Sequence, residues 1–225
     1  MVKHYDDHSM AFDTPRDNEA EILALIANFE GDLMALPYYL LFWQMGINPD
    51  DAVTAIPFLK KDIEYSAIPG QKVRINNLDG VYPSEDYVRM EQIRAVQQAW
   101  LPDIELQLAD LSVEFPPGLV GNTDLLILNH GIILNELPGG YRQYLENAGQ
   151  VVKEGGLIMV IDNGDLELAE IEELTGCHQI DIKFSDQVKQ ALEQKGIRSG
   201  TANNLGDLIN LPESNQGHQV LFLRK

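Results

Sequence analysis

Polar residues that can bind hydroxyl and amine groups stand at the ends of several apolar runs in this sequence. Asp110, Asn129 and Asp162 each stand at or just after the end of such a run. His130 follows Asn129, and histidine suits general-base catalysis because its ordinary pKa lies near neutrality. A histidine at a strand end is also commonly held by a hydrogen bond alone, so both interpretations stand. These residue types indicate a binding site for a polar molecule, with a candidate base beside it.

Three short apolar runs predict the strands that carry these residues. They are Ile104–Leu108, Leu125–Leu128 and Leu157–Ile161. The last two are unbroken, and runs without polar alternation are typical of strands covered on both faces, as in parallel sheets. Between the last two runs, apolar residues at helical spacing predict a helix over Tyr141–Lys153, which Gly155-Gly156 should end. Strand, helix and strand form a βαβ unit, and open α/β sheets bind ligands at the carboxyl ends of their strands.

The same region resembles a known family. The run DLLILNHGIILNEL, the predicted helix and then VVKEGGLIMVID are similar to the second half of a class I S-adenosylmethionine-dependent methyltransferase. In that family an Asp opens the fourth strand, and a Lys-x-Gly-Gly-like turn precedes a buried fifth strand. Asp124 and Lys153–Gly156 take those places here. The resemblance implies a Rossmann-like, doubly wound, mostly parallel α/β sheet, with S-adenosylmethionine as the cofactor.

The resemblance also implies which residues hold the cofactor. The segment LDGVYPSEDYVRMEQIRA is similar to the second-strand and helix signature, with Asp79 in place of the acid that binds the ribose hydroxyls and Gly80 beside it. An Asp-Gly pair is equally typical of a plain turn. Asp110 and Leu111 resemble the acid-plus-apolar pair that meets the adenine amino group and ring edge. Asn129 stands at the end of the fourth strand and completes this group.

The segment after Asn129 departs from one branch of the family. Relatives that methylate amide or amine nitrogen carry Asn-Pro-Pro-aromatic at this strand end, whereas His130 and Gly131 follow Asn129 here. The nitrogen specificity is therefore not carried over. Methyl transfer needs an aligned nucleophile and, for some acceptors, a base that takes its proton. His130, or Glu136 beyond it, is the candidate base.

The glycine-rich loop of the family is missing. It should follow the first strand, where bare backbone lets the cofactor approach. Its position corresponds to Ile56–Lys60, and Ile56 is therefore counted among the predicted cofactor-binding residues. The sequence there is IPFLK, and Phe58 and Leu59 would fill the space that the methionine portion of the cofactor uses. We therefore consider methyl transfer to a small-molecule acceptor, or a catalytically inactive methyltransferase-like binding or assembly module. NAD-dependent oxidoreduction is a weaker third hypothesis, because it needs the same glycines.

Residues 1–48 are predicted to form a tail and a helical cap, ahead of a methyltransferase-like domain over 49–225. A first helix should begin at Asn18, and Leu33–Met45 predicts a second helix that is apolar all round and therefore buried. That burial is either in the core or in a homodimer interface over 33–47, and its aromatic side chains can alternatively wall a substrate pocket. Further predicted elements are a strand over Lys72–Asp79, helices over Pro83–Trp100, Leu166–Leu174 and Phe184–Lys195, and a last strand over His218–Leu223, with Cys177-His178 between elements.

Composition narrows the classes of partner. The 225 residues carry a formal net charge of -19, which repels phosphate backbones and anionic lipids. We therefore expect a small-molecule substrate and neither nucleic acid nor a membrane as a partner. Cys177 is the only cysteine, so an intrachain disulfide is excluded, and no metal site is expected. The first residues lack the apolar core of a signal peptide, which predicts a cytoplasmic protein.

Overall fold

The computed structural model is built around one seven-stranded sheet. It describes residues 19–31, 33–48, 51–57, 73–77, 105–109, 111, 113–129, 140–162, 167–197, 204–209 and 219–225. The strands are β1 Ala52–Pro57, β2 Val73–Asn77, β3 Glu105–Ala109, β4 Thr123–Asn129, β5 Val152–Asp162, β6 His178–Ile180 and β7 Gln219–Arg224. The helices are α1 Glu19–Asn28, α2 Leu36–Met45, α3 Gly140–Val151, α4 Leu168–Thr175, α5 Asp186–Gln194 and α6 Leu205–Ile209, with a 3-10 turn over Leu33–Ala35.

The strand order defines the fold class. Across the sheet it is β3-β2-β1-β4-β5-β7-β6. Strands β1 to β5 pair in parallel, and β7 lies antiparallel to both β5 and β6. The sheet of dinucleotide-binding domains has the order 3-2-1-4-5-6. This sheet differs from it by the antiparallel β7, which lies between β5 and β6. The predicted Rossmann-like, mostly parallel α/β fold of the class I methyltransferase type is confirmed.

Both faces of the sheet are covered, which explains the unbroken apolar runs. Leu125 and Ile127 of β4 belong to one buried cluster, which also holds apolar residues of α1, α2, α5 and α6. Leu126 and Leu128 belong to a second cluster with residues of α3 and α4. Alternate residues of a strand point to opposite faces, so a strand between two helical layers must be apolar at every position. The two clusters form one core on each side of the sheet.

The predicted N-terminal helices are both present. In α1, Ile22 and Ile26 are buried, as the spacing predicts. Pro37 lies in the first turn of α2, where its missing N–H costs no helical hydrogen bond. The helix ends at Gly46, whose left-handed backbone (φ 63°) directs its N–H to the Phe42 and Trp43 carbonyls. Leu40 of α2 is fully buried in the cluster that also holds strand residues, which confirms that α2 packs into the core. The domain boundary after residue 48 remains a prediction.

The Gly155-Gly156 pair does not end the preceding helix, contrary to the sequence-based expectation. Helix α3 ends at Val151, and both glycines lie inside β5. The pairing of β4 with β5 shifts register between Thr123 and Leu125, and Gly155 takes a positive φ of 76° there. Lys225 Nζ caps the end of α3, since it donates to the carbonyls of Gly149 in the helix and of Val152 directly after it, at 2.9 Å each. A glycine pair after a helix therefore marks an irregular strand start here.

The C-terminal elements largely match their predictions. Helices α4 and α5 and strand β7 lie within about two residues of the predicted bounds. Strand β6 and helix α6 were not predicted, and His178 begins β6 instead of lying between elements. The helix predicted over 83–100 lies outside the part of the chain that the structure describes.

Candidate functional site

The carboxyl ends of the central strands lie side by side. Pro57 at the end of β1 pairs with Asn77 at the end of β2, and Asn77 pairs with Ala109 at the end of β3. On the other side of β1, the pairing of Ala55 with Leu128 places the ends of β1 and β4 at the same level. The order changes direction between β1 and β4, which is the switch point where open α/β sheets bind ligands.

Two of the predicted cofactor-binding residues stand on this edge in the described backbone. Ile56 is the next-to-last residue of β1 and pairs with Asn76. Asn129 is the last residue of β4 and pairs with Ile161, one residue before the end of β5. Three strand spacings of ~4.8 Å separate β3 from β4, so the edge from β3 to β4 is roughly 14 Å wide.

The remaining predicted site residues fall at or beyond these strand ends in the sequence. Asp79-Gly80 begins two residues after Asn77, Asp110 directly follows Ala109, and His130 directly follows Asn129. These four residues and Glu136 lie outside the described residues, so their cofactor and base roles remain predictions. The same holds for Phe58 and Leu59, which follow the last residue of β1.

Leu111 is the one predicted site residue whose side chain the structure describes. It is fully buried, in a cluster with Phe115, Tyr144 and Leu145. Its carbonyl accepts a hydrogen bond of 2.9 Å from Nδ2 of Asn147 on α3. Packing thus occupies the side chain of Leu111, and its place beside an adenine ring remains a prediction.

Asp124, which the family resemblance singled out, has a structural role at the opposite edge. It stands in the second position of β4, at the amino end of the strand. Lys153 Nζ forms an ion pair with its Oδ1, and the Asn48 N–H donates to Oδ2 at 3.4 Å. The carboxylate is only 8% exposed, so this pairing offsets the cost of burying its charge. Asp124 therefore joins the start of β4 to the start of β5.

A polar cluster joins the first turns of α3 and α4, the helices that follow β4 and β5. Glu170 Oε1 accepts hydrogen bonds from Tyr141 Oη at 2.9 Å and from Arg142 Nη2 at 2.7 Å. The hydrogen bond to Tyr141, with the charge of Glu170, raises the pKa of the Arg142 guanidinium, which stays protonated. Sequence reasoning missed this cluster and the Asn147 contact, since their partners lie 28 to 36 residues apart along the chain.

Neither a metal site nor a membrane span is found among the described residues. No three His, Cys, Asp or Glu side chains among them lie close enough together to hold a metal ion. Within the same residues, no helix has both the length and the apolar character needed to cross a membrane.

Comparison with protein-family models and with curated proteins gives no match. Several solved structures are similar to this chain. A TehB-like SAM-dependent methyltransferase from Corynebacterium glutamicum is 13% identical over 92% of this chain and 96% of its own, with a TM-score of 0.46. The 16S rRNA methyltransferase KamB is 16% identical over 78% of this chain and 87% of its own, with a TM-score of 0.41. A geranyl diphosphate methyltransferase in complex with SAM is 10% identical over 92% of this chain and 94% of its own, with a TM-score of 0.38.

The strand order and the level carboxyl ends define the class of fold to which this chain belongs. It is an α/β protein with the sheet of the class I methyltransferases. That assignment rests on the order of the strands and the antiparallel β7.

Proposed function

We propose that this protein binds S-adenosylmethionine at the carboxyl edge of β1 to β4 and transfers its methyl group to a small-molecule acceptor. The observation that carries the proposal is the strand order with β7 antiparallel between β5 and β6. The sequence resemblance, over the segments that follow β2, β3 and β4, supports it independently of the topology.

The polar residues assigned to this edge suit the binding of a nucleoside with an attached amino acid. Asp79 is assigned to the ribose hydroxyls, with Gly80 beside it, and carboxylates are good acceptors for paired hydroxyl donors. Asp110 is assigned to the adenine amino group, and the backbone of Leu111 to the ring edge. Ile56 and Asn129, on the neighbouring ends of β1 and β4, flank the remainder of the cofactor.

The chemistry asked of the protein is modest. When bound, S-adenosylmethionine supplies a methyl group already activated by its sulfonium. The protein must hold the acceptor in line with that methyl group and exclude water. His130, or Glu136, is assigned to take a proton from the acceptor when that acceptor is a hydroxyl or a protonated amine.

The second candidate function is a methyltransferase-like module without catalysis, and a specific observation favours it. No glycine occurs between Gly46 and Gly70, so the segment after β1 lacks the bare backbone that the cofactor normally approaches. Strand β1 ends at Pro57, and Phe58 follows. A module of this kind would bind a partner, and a homodimer through residues 33–47 is its simplest form. Leu33 and Tyr39 are 36% and 39% exposed on that segment.

Calorimetric titration of the wild-type protein with S-adenosylmethionine and S-adenosylhomocysteine separates the two functions. We expect one molecule bound per chain, and we expect Asp79→Ala to weaken the affinity about tenfold or more, since a hydrogen bond to a charged group is lost. Asp181→Ala is the matched control, because Asp181 is exposed and, among the residues that the structure describes, forms an ion pair only with the exposed Lys183, at 3.3 Å. No heat with either ligand, on protein shown to be folded, would favour the inactive module.

A further inference from the structure

Two hydrogen bonds fix the side chain of Asn147 on α3. Gln143, one turn earlier, donates from Nε2 to Asn147 Oδ1 at 3.1 Å. Asn147 in turn donates from Nδ2 to the Leu111 carbonyl at 2.9 Å. Because the oxygen of the amide is occupied by Gln143, its nitrogen is the group that faces Leu111. The orientation of Asn147 is therefore set by its partners on both sides.

The contact joins two elements that no strand pairing connects. Leu111 follows β3 at the edge of the sheet, whereas α3 joins β4 and β5. The Leu111 side chain is clamped in the buried cluster beneath α3, and its carbonyl is held by Asn147. The backbone that leaves β3 at the ligand-binding edge is therefore held to α3 through both its side chain and its carbonyl.

The end of the segment beside β4 has hydrogen bonds of its own. The Gly121 N–H donates to the Gln150 carbonyl at 2.9 Å, near the end of α3. Asn122 Nδ2 donates to the carbonyls of Gly118 and Val120, within the segment itself. Loss of the Asn147 side chain therefore removes the hydrogen bond at the end beside β3 and leaves those at the end beside β4 in place.

We infer that Asn147 is a positioning residue for the adenine part of the cofactor site, and this inference rests on the proposed binding of S-adenosylmethionine. Asn147 touches no cofactor atom in this account. It acts through Leu111, whose backbone must meet the ring edge at a fixed distance, and a displacement of less than 1 Å is enough to weaken such contacts. Gln143 supports it by fixing the amide.

The test compares two asparagines whose side chains each donate to a backbone carbonyl of the segment between β3 and β4. Asn147→Ala removes the donor to Leu111, and Asn122→Ala removes a donor to carbonyls at the far end. Calorimetry measures the affinity of each variant for S-adenosylhomocysteine and for S-inosylhomocysteine, which carries a 6-oxo group in place of the adenine 6-amino group. We expect Asn147→Ala to weaken S-adenosylhomocysteine binding about five- to tenfold, and S-inosylhomocysteine binding much less. The ratio of the affinity for S-adenosylhomocysteine to the affinity for S-inosylhomocysteine should therefore fall in Asn147→Ala. Asn122→Ala should leave the affinities for both ligands unchanged.

Gln143→Ala is the milder second variant, because it removes an exposed side chain and frees the Asn147 amide to rotate. We expect about a two- to threefold weakening of S-adenosylhomocysteine binding and a smaller narrowing of the preference. It carries the test alone if Asn147→Ala does not fold.

Three outcomes count against this account in different ways. An unchanged preference for adenine in the folded Asn147 and Gln143 variants overturns the positioning role alone. Equal losses of both affinities in the Asn147 and Asn122 variants overturn it as well, since that pattern indicates general loosening. Absence of binding by the folded wild-type protein overturns the proposed function, and the positioning role with it.

Discussion

Helices α3 and α4 approach so closely at Gly149 that a single added carbon should separate them. A Cβ built on Gly149 would lie 2.0 Å from the Thr175 carbonyl oxygen and 2.7 Å from the carbonyl carbon. Both atoms are backbone at the end of α4, so no side-chain rotation relieves the overlap. An ordinary C···O contact needs about 1.2 Å more, and both elements lie against one buried cluster with little room to yield.

Gly149→Ala therefore sets two effects against each other. Alanine in place of glycine within a helix stabilises by about 1 kcal/mol, whereas overpacking of a close contact costs about 1 to 3 kcal/mol and sometimes more. Because the clash is with backbone, we expect the upper end of the cost and a net loss of about 2 kcal/mol. That loss corresponds to a fall in melting temperature of about 4 to 8 °C for a chain of this size.

Urea unfolding followed by circular dichroism measures the difference, with Gly118→Ala as the control. A Cβ on Gly118 meets nothing within 4 Å, so that variant should stay within about 0.5 kcal/mol of the wild type. A Gly149→Ala protein as stable as the wild type, or more stable, would refute the close approach of α3 and α4.

Three further predictions concern buried and capping groups. Thr54 is fully buried and its hydroxyl has no hydrogen-bond partner among the described residues, so Thr54→Val should stabilise by about 1 kcal/mol in urea unfolding. The contrasting Thr175→Val should destabilise by a similar amount, since that hydroxyl donates to the Ile171 carbonyl at 2.7 Å. Burial raises the pKa of Tyr38 from 10.0 to about 12, so the unfolded chain ionises first. The contribution of Tyr38 to the free energy of unfolding should therefore be complete below pH 10 and should fall by about 1 to 2 kcal/mol towards pH 12. Unfolding midpoints measured across this pH range should show the loss in the wild type and not in Tyr38→Phe. Lys225→Met should lower the free energy of unfolding by about 1 to 3 kcal/mol in the same assay, since the carbonyls of Gly149 and Val152 lose their donor. The control Lys183→Met breaks only an exposed ion pair and should cost less than about 1 kcal/mol.

The fold was largely readable from the sequence because its central strands are apolar on both faces. The runs at 125–128 and 157–161 fall inside β4 and β5, and the helical spacing between them marks α3. The Gly155-Gly156 pair misled because a helix stop and an irregular strand share the same requirement for a positive φ. Strand β6 was missed because its three residues are polar or half-exposed, and they form a strand only through pairing with β7.

The candidate site was readable only in part. Strand register places Ile56 and Asn129 at the carboxyl ends of β1 and β4, and the residue types that follow the strand ends suggest which neighbours belong to the proposed cofactor site. The contact from Asn147 to Leu111 could not be read, since it joins residues 36 apart through a loop that has no repeating pattern. The ion pair between Lys153 and Asp124 could not be predicted either, because the sequence motif around Lys153 does not indicate which carboxylate lies near it.

Binding of S-adenosylmethionine is tested by a crystal structure of the protein grown with S-adenosylhomocysteine. We expect density for one nucleoside across the carboxyl ends of β1 and β4, with its ribose beside Asp79 and its adenine against the backbone of Leu111. A crevice filled by Phe58 and Leu59, with no nucleoside at saturating ligand, would show that the proposed cofactor site does not exist.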